Sequence, residues 1–238
     1  MAQLFPPSSN STVRALIIGG VLAAAGLISF PYLIDRSPYV SGQRVSYEQP
    51  VPFSHMHHVR GLGIDCRYCH TGVENSPFAG IPATKTCMTC HSQIWTNADL
   101  LEPVRAAFKD NKPIQWTRVH NLPHYVFFDH SIHINKGVAC TTCHGPVQFM
   151  PLTYQQNTLH MRWCIDCHRH PERFIGRRED VFKTDSNHPD RDDLFMTNLH
   201  PLEKEGVEPE KKLSGAELVK LYKIKPRVKM QDCYTCHR

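Results

Sequence analysis

The chain has 238 residues with 27 Lys and Arg against 22 Asp and Glu, a formal charge of +5, and 41% apolar side chains. That length holds one or two domains, and so modest a charge supports no claim of nucleic-acid binding. Ten cysteines and 16 histidines are the unusual feature, and their placement carries the argument below.

From the amino terminus, residues 15–34 are uncharged and mostly apolar, bounded by Arg14 and Asp35. A run of this length matches the hydrocarbon core of a bilayer and predicts a transmembrane signal-anchor helix after a cytoplasmic tail, 1–14. A cleaved signal peptide is the rival, with Ala23-Ala24-Ala25 as the small-residue site, but the apolar run continues well past Ala25. Residues 35–50, with Pro38, Ser41, Gly42 and Pro50 and no apolar period, read as a tether.

The remainder, 51–238, contains C-x-x-C-H five times: Cys66–His70, Cys87–His91, Cys140–His144, Cys164–His168 and Cys233–His237. These motifs use every cysteine. Two thiols and a following histidine at this spacing are the attachment signature of c-type haem, in which the thiols become thioethers and the histidine the proximal iron ligand. Structural zinc explains paired cysteines but not a histidine after each second one, and disulfides need no fixed spacing. The expectation is five covalent haem c groups on Cys66, Cys69, Cys87, Cys90, Cys140, Cys143, Cys164, Cys167, Cys233 and Cys236. Their proximal ligands are His70, His91, His144, His168 and His237.

The motifs sit in an approximate duplication. Phe53-Ser54-His55-Met56-His57-His58 precedes two of them (module 51–91), and Phe128-Asp129-His130-Ser131-Ile132-His133 precedes two more (module 126–168). The fifth, 233–237, stands outside the repeat. In each F-x-H-x-x-H the histidines are three apart, on one helical face, so His55, His58, His130 and His133 are expected as distal ligands. His120 and Met150 are further distal candidates. His57, His124, Met161, His160, His170, His188 and His200 are weaker ones, and His188 is expected at the surface.

Secondary structure is expected to be mainly α with much irregular loop. One helical turn is predicted under each C-x-x-C-H, a helix through Leu100, Leu101, Val104 and Phe108 started or kinked by Pro103, and another at 215–223 opened by the capping box Ser214-Gly215-Ala216-Glu217. Eighteen prolines argue against a large sheet. Porphyrins are expected to form much of the core. Mixed-charge runs at 177–180 and 203–212 read as solvated surface. Five ferric haems with their propionates contribute about −5, which leaves the loaded protein near neutral.

The stretch from Phe53 to Arg169 resembles class III multihaem cytochromes. With an amino-terminal anchor and a carboxy-terminal fifth motif, the chain resembles the pentahaem cytochrome subunit of bacterial alternative complex III. The elements that carry this are His55-Met56-His57-His58, Gly63-Ile64-Asp65-Cys66-Arg67-Tyr68-Cys69-His70, Val119-His120, the second F-x-H-x-x-H and Met161-Arg162-Trp163-Cys164. Members often carry glycine where this chain has Arg162, which bears on local packing rather than attachment.

The resemblance implies an electron conduit with no catalytic residue of its own, in the bacterial inner membrane with its haem domain in the periplasm. It would act beside an iron–sulfur subunit, quinol-binding membrane subunits and a further cytochrome c, and deliver electrons to a soluble carrier or an oxidase. Two other functions are weighed. A NapC-like quinol dehydrogenase shares the anchor, but those proteins place methionine shortly after the first motif, where this chain has Thr71-Gly72-Val73. A multihaem reductase needs an open iron position, typically marked by C-x-x-C-K, which does not occur here.

Overall fold

The computed structural model describes residues 5, 6, 8–184 and 213–237. His188, His200 and the charged run 203–212 lie outside them. Two units separate, residues 1–45 and 46–238, the boundary falling within the predicted tether.

The first unit is helix α1 (Ser8–Asp35) followed by the short α2 (Pro38–Ser41). α1 begins seven residues before the apolar run, so the helix is longer than the hydrophobic span it contains. At 28 residues it extends about 42 Å. None of its side chains is buried, and by length and composition it could cross a membrane, a weak sign of an anchor on its own. α2 starts with Pro38 at its first turn, where the missing N–H costs nothing, and stops at Gly42, which takes φ +65°.

The second unit is a succession of short helical turns joined by irregular chain. Four carry haem motifs in the order of the sequence: α3 (Cys66–Cys69), α4 (Thr84–His91), α7 (Cys140–His144) and α8 (Met161–Arg169). α11 (Cys233–Cys236) carries the fifth. Between them lie α5 (Glu102–Lys109), α6 (His130–Asn135), α9 (Gly215–Leu221) and α10 (Arg227–Met230). Among the described residues β pairing is limited to isolated bridges such as Val126 with His237 and Val138 with Ile175.

Local chemistry sets the boundaries. α5 starts one residue before Pro103, which the first turn tolerates, so the proline starts the helix rather than kinking it. α9 opens on the expected box: the Ser214 hydroxyl accepts from Glu217 N–H, and the Glu217 carboxylate accepts from Ser214 N–H at 2.7 Å. It ends at Leu221, two residues short of the expected 223. Asp65, Asp129 and Asp232 cap α3, α6 and α11 through backbone N–H groups two or three residues on.

Apolar packing is thin. One cluster joins Val73, Ile134 and Val181, with Ala79, Cys140 and Phe182 against it; another joins Ile175, Leu218 and Tyr222. The second seats the carboxy-terminal segment and depends on Gly137. This residue holds φ +82°, and a Cβ there would run into the carbonyl oxygen of Gly176, a residue whose amide N–H donates to Gly137 O at 2.8 Å. Among the described residues these two small clusters are little core for a unit of this kind.

Candidate haem sites

Each motif holds its two cysteines three residues apart on one helical turn; the histidine that follows ends the helix in the second and third motifs and lies inside α8 in the fourth, while His70 and His237 stand just past theirs. The second half of each candidate site comes from the F-x-H-x-x-H segments. In the second module this segment is α6, with His130 and His133 one turn apart. In the first it differs from the expected α-helical turn: Met56–Gly61 is wound as a π-helical turn, with Leu62 N–H donating to His57 O and Ile64 N–H to His58 O. Such widened turns are frequent at functional sites, and His55 and His58 keep the side-chain relation seen in α6.

The phenylalanine does the same job in both modules. Phe53 stacks on His58 (centroids 4.4 Å apart, 25°) and meets His55 edge-on (5.0 Å, 86°). Phe128 stacks on His133 (4.6 Å, 24°) and meets His130 edge-on (4.8 Å, 89°). In each segment one imidazole thus lies nearly parallel to the phenylalanine ring and the other nearly perpendicular to it.

Across from these stand the motif histidines. His58 faces His91 with ring centroids 6.2 Å apart, His130 faces His144 at 6.3 Å, and His133 faces His168 at 6.2 Å. Two imidazoles bound to one metal through bonds of about 2 Å each would have centroids roughly 6 Å apart, so the three gaps fit an iron with a histidine on either side. The planes cross at 64°, 6° and 21° respectively. His70 and His237 are in no such ring pair among the described residues. His55 is nonetheless close enough to His70 that, after burial, His70 is the next cause holding the His55 pKa down to about 4.

The ring nitrogens tell the same story. In His58, His70, His91, His130, His133, His168 and His237 the Nδ1–H donates to a backbone carbonyl: Ser54, Gly80, Ile94, Pro77, Asp129, Met230 and Tyr125, over 2.6–3.4 Å. Nδ1 of His55 is hydrogen-bonded to Thr153 Oγ1 at 2.9 Å. Such a bond fixes tautomer and ring orientation and leaves Nε2 for a metal. Burial lowers the pKa of His58 and His133, and with neighbouring imidazoles holds His144 near 3, so these rings stay neutral, the form that ligates iron.

The other candidates fall differently. His120 is half-buried, with Nε2 3.3 Å from Nδ1 of His144 and the rings edge-on at 4.3 Å, too close for a metal between them. Burial, then His130, holds its pKa near 4. Met150 is 1% exposed, and its carbonyl accepts from Met56 N–H at 3.2 Å, beneath the π-helical turn. His57 leans on His58 and Trp95, His124 is exposed, and His170 pairs with Glu172 at 3.5 Å. Met161 is exposed at the start of α8.

The motifs contact one another in a definite sequence. Tyr68 of the first and Thr89 of the second are hydrogen-bonded at 2.9 Å. The first and third meet where Cys140 packs with Val73 and Ile134, where His130 donates to Pro77 O, and where Asn135 donates to Glu74 O. Cys66 and Cys140 are also direct neighbours. The third and fourth share α6 through His130 and His133. The fourth meets the fifth where His168 donates to Met230 O and Arg169 to Gln231.

Sequence reasoning missed the carbonyl acceptors, the Thr153 hydroxyl and the role of the two phenylalanines. Only the last left a signal, in the identical offset of Phe53 and Phe128 from their histidines.

No family model matches the chain. It is 37% identical over 102 residues to the multihaem cytochrome c subunit of menaquinone reductase from Nitratidesulfovibrio vulgaris (strain Hildenborough), a match covering 41% of this chain and 46% of the relative. The aligned part is thus about half the length of that protein. Together with five attachment motifs, this similarity supports a multihaem c-type cytochrome carrying covalent haem c.

Proposed function

We propose that this chain is the membrane-anchored electron conduit of a quinone-linked respiratory complex, carrying five haem c groups. Four take axial pairs: His55 with His70, His58 with His91, His130 with His144, and His133 with His168. The fifth is held by Cys233, Cys236 and His237. When bound, each haem supplies the one-electron couple of its iron; the chain's residues hold both faces and keep the ring nitrogens neutral. The observation that carries this reading is the set of three imidazole pairs 6.2–6.3 Å apart, each Nδ1 already engaged. An iron with two protein ligands changes charge with little rearrangement, which suits a wire, and at the four paired sites leaves no open position for a substrate.

The contacts between motifs give the conduit an order: second, first, third, fourth, fifth. Its ends are the second and fifth sites, whose Cys90 and Cys233 are the two exposed attachment cysteines among the ten. In this reading His120 and Met150 are not iron ligands, and Met150 packs under the π-helical turn, as soft side chains often do.

Alternative complex III remains the proposed assembly on the resemblance of the sequence, with the haem unit on the periplasmic side and quinol as the electron source. The likeness to a menaquinone reductase subunit favours a second reading, in which the same wire runs towards quinone. Either way this chain is a conduit and not the quinone site. The test is rapid-mixing reduction of the purified chain in detergent by a quinol analogue. Reduction only in the presence of partner subunits is expected; reduction of the isolated chain would show a quinol dehydrogenase of the NapC kind instead.

A further inference from the structure

We infer that His120 is a positioning residue for the third haem site, holding His144 by its outer nitrogen and tuning it, rather than binding an iron itself. The inference rests on the reading of Cys140–His144 as a haem site. Nε2 of His120 lies 3.3 Å from Nδ1 of His144, with the rings at 79° and 4.3 Å between centroids. His144 faces the ring of His130 in parallel at 6.3 Å. It is thus engaged by two imidazoles, one at the separation that fits a shared metal and one at hydrogen-bonding separation.

This sets the third site apart. Seven of the nine candidate ligand histidines donate Nδ1–H to a backbone carbonyl and His55 bonds a hydroxyl; His144 alone is backed by another imidazole. For His144 to keep Nε2 for iron its Nδ1 must donate, so His120 accepts at Nε2 and carries its own proton on Nδ1. An imidazole nitrogen is a stronger acceptor than an amide carbonyl. It therefore draws more of the shared proton, makes His144 more electron-rich and favours the oxidised iron. The backbone at His120 is itself tied down, its carbonyl accepting from Arg118 Nε at 3.1 Å.

The experiment compares the full-length wild type with His120→Leu and His120→Gln by haem count, low-temperature EPR and redox titration. Both variants should retain five haems, with the spin-state content of the wild type. In His120→Leu one EPR component and one midpoint should move, the midpoint upward, while the other four hold. In His120→Gln, whose amide oxygen restores an acceptor, the same component should move less. A high-spin ferric signal in either variant that the wild type lacks would show His120 to be a ligand and overturn the inference. So would a His120→Leu protein with no component displaced. Should the leucine variant fail to fold, the glutamine variant still decides, because glutamine does not replace a histidine ligand and a lost ligand would appear as high-spin iron. A wild-type count below five would instead strike the reading of the sites themselves.

Discussion

Replacing His133 by alanine is the perturbation whose consequences the geometry fixes most fully. His133 faces His168 at 6.2 Å, is stacked by Phe128 at 4.6 Å and donates Nδ1–H to Asp129 O at 2.7 Å. The substitution removes one axial ligand from one of five sites, so about one-fifth of the iron should become high-spin, all of it in the haem on Cys164 and Cys167. It also removes a hydrogen bond and an aromatic stack, together about 1–3 kcal/mol, besides the axial bond itself. For a unit of this size that corresponds to a melting temperature lower by at least roughly 3–10 °C. EPR of the ferric protein measures the first effect, and thermal melting followed by haem absorbance the second. His130→Ala should give the same spectral fraction, assigned instead to the haem on Cys140 and Cys143, whereas His124→Ala, on the exposed surface, should change neither. A fully low-spin His133→Ala protein would refute the pairing.

Phe128→Ala should leave the spin states of all irons as in the wild type but lower stability by about 1–3 kcal/mol, because the ring braces two imidazoles without binding metal; EPR and a melt distinguish this from ligand loss. Gly137→Ala should destabilise by about 2 kcal/mol or more, since the residue needs a positive φ and its Cβ would meet the Gly176 carbonyl; chemical denaturation measures it. Acid should unfold the protein in a defined window. His120, which binds no iron in this account, has its pKa held down to about 4 by burial and then by His130, so the unfolded chain, with histidine near 6.5, binds more protons between those limits. Stability is thus fully present above about pH 6.5 and falls as pH drops towards 4, which melts across that range will show.

Much of this site is written in residue types whose spacing has one chemical use. The five motifs and the paired histidines of F-x-H-x-x-H could be named before any fold was known, and so could the capping box at Ser214, because capping needs only a hydroxyl and a carboxylate three residues apart. What spacing could not supply was partnership. His58 and His91 are 33 positions apart, and nothing local states which motif a distal histidine will face. His120 illustrates the limit: its place before the second module suggested a ligand, yet its Nε2 meets the outer nitrogen of His144. The carbonyls of Pro77, Gly80 and Met230, which orient three of the imidazoles, carry no side-chain signature at all. The π-helical turn at Met56–Gly61 was hidden for a related reason, since its identical histidine spacing in α6 is met by an ordinary α-turn.

The central claim is that five porphyrins are bonded through sulfur to this one chain. Intact-protein mass under denaturing conditions, paired with a pyridine haemochrome titration against protein concentration, measures it directly. The account predicts a single species carrying five haems that survive acidified acetone; a species carrying fewer, or haem that extracts into the solvent, would contradict it.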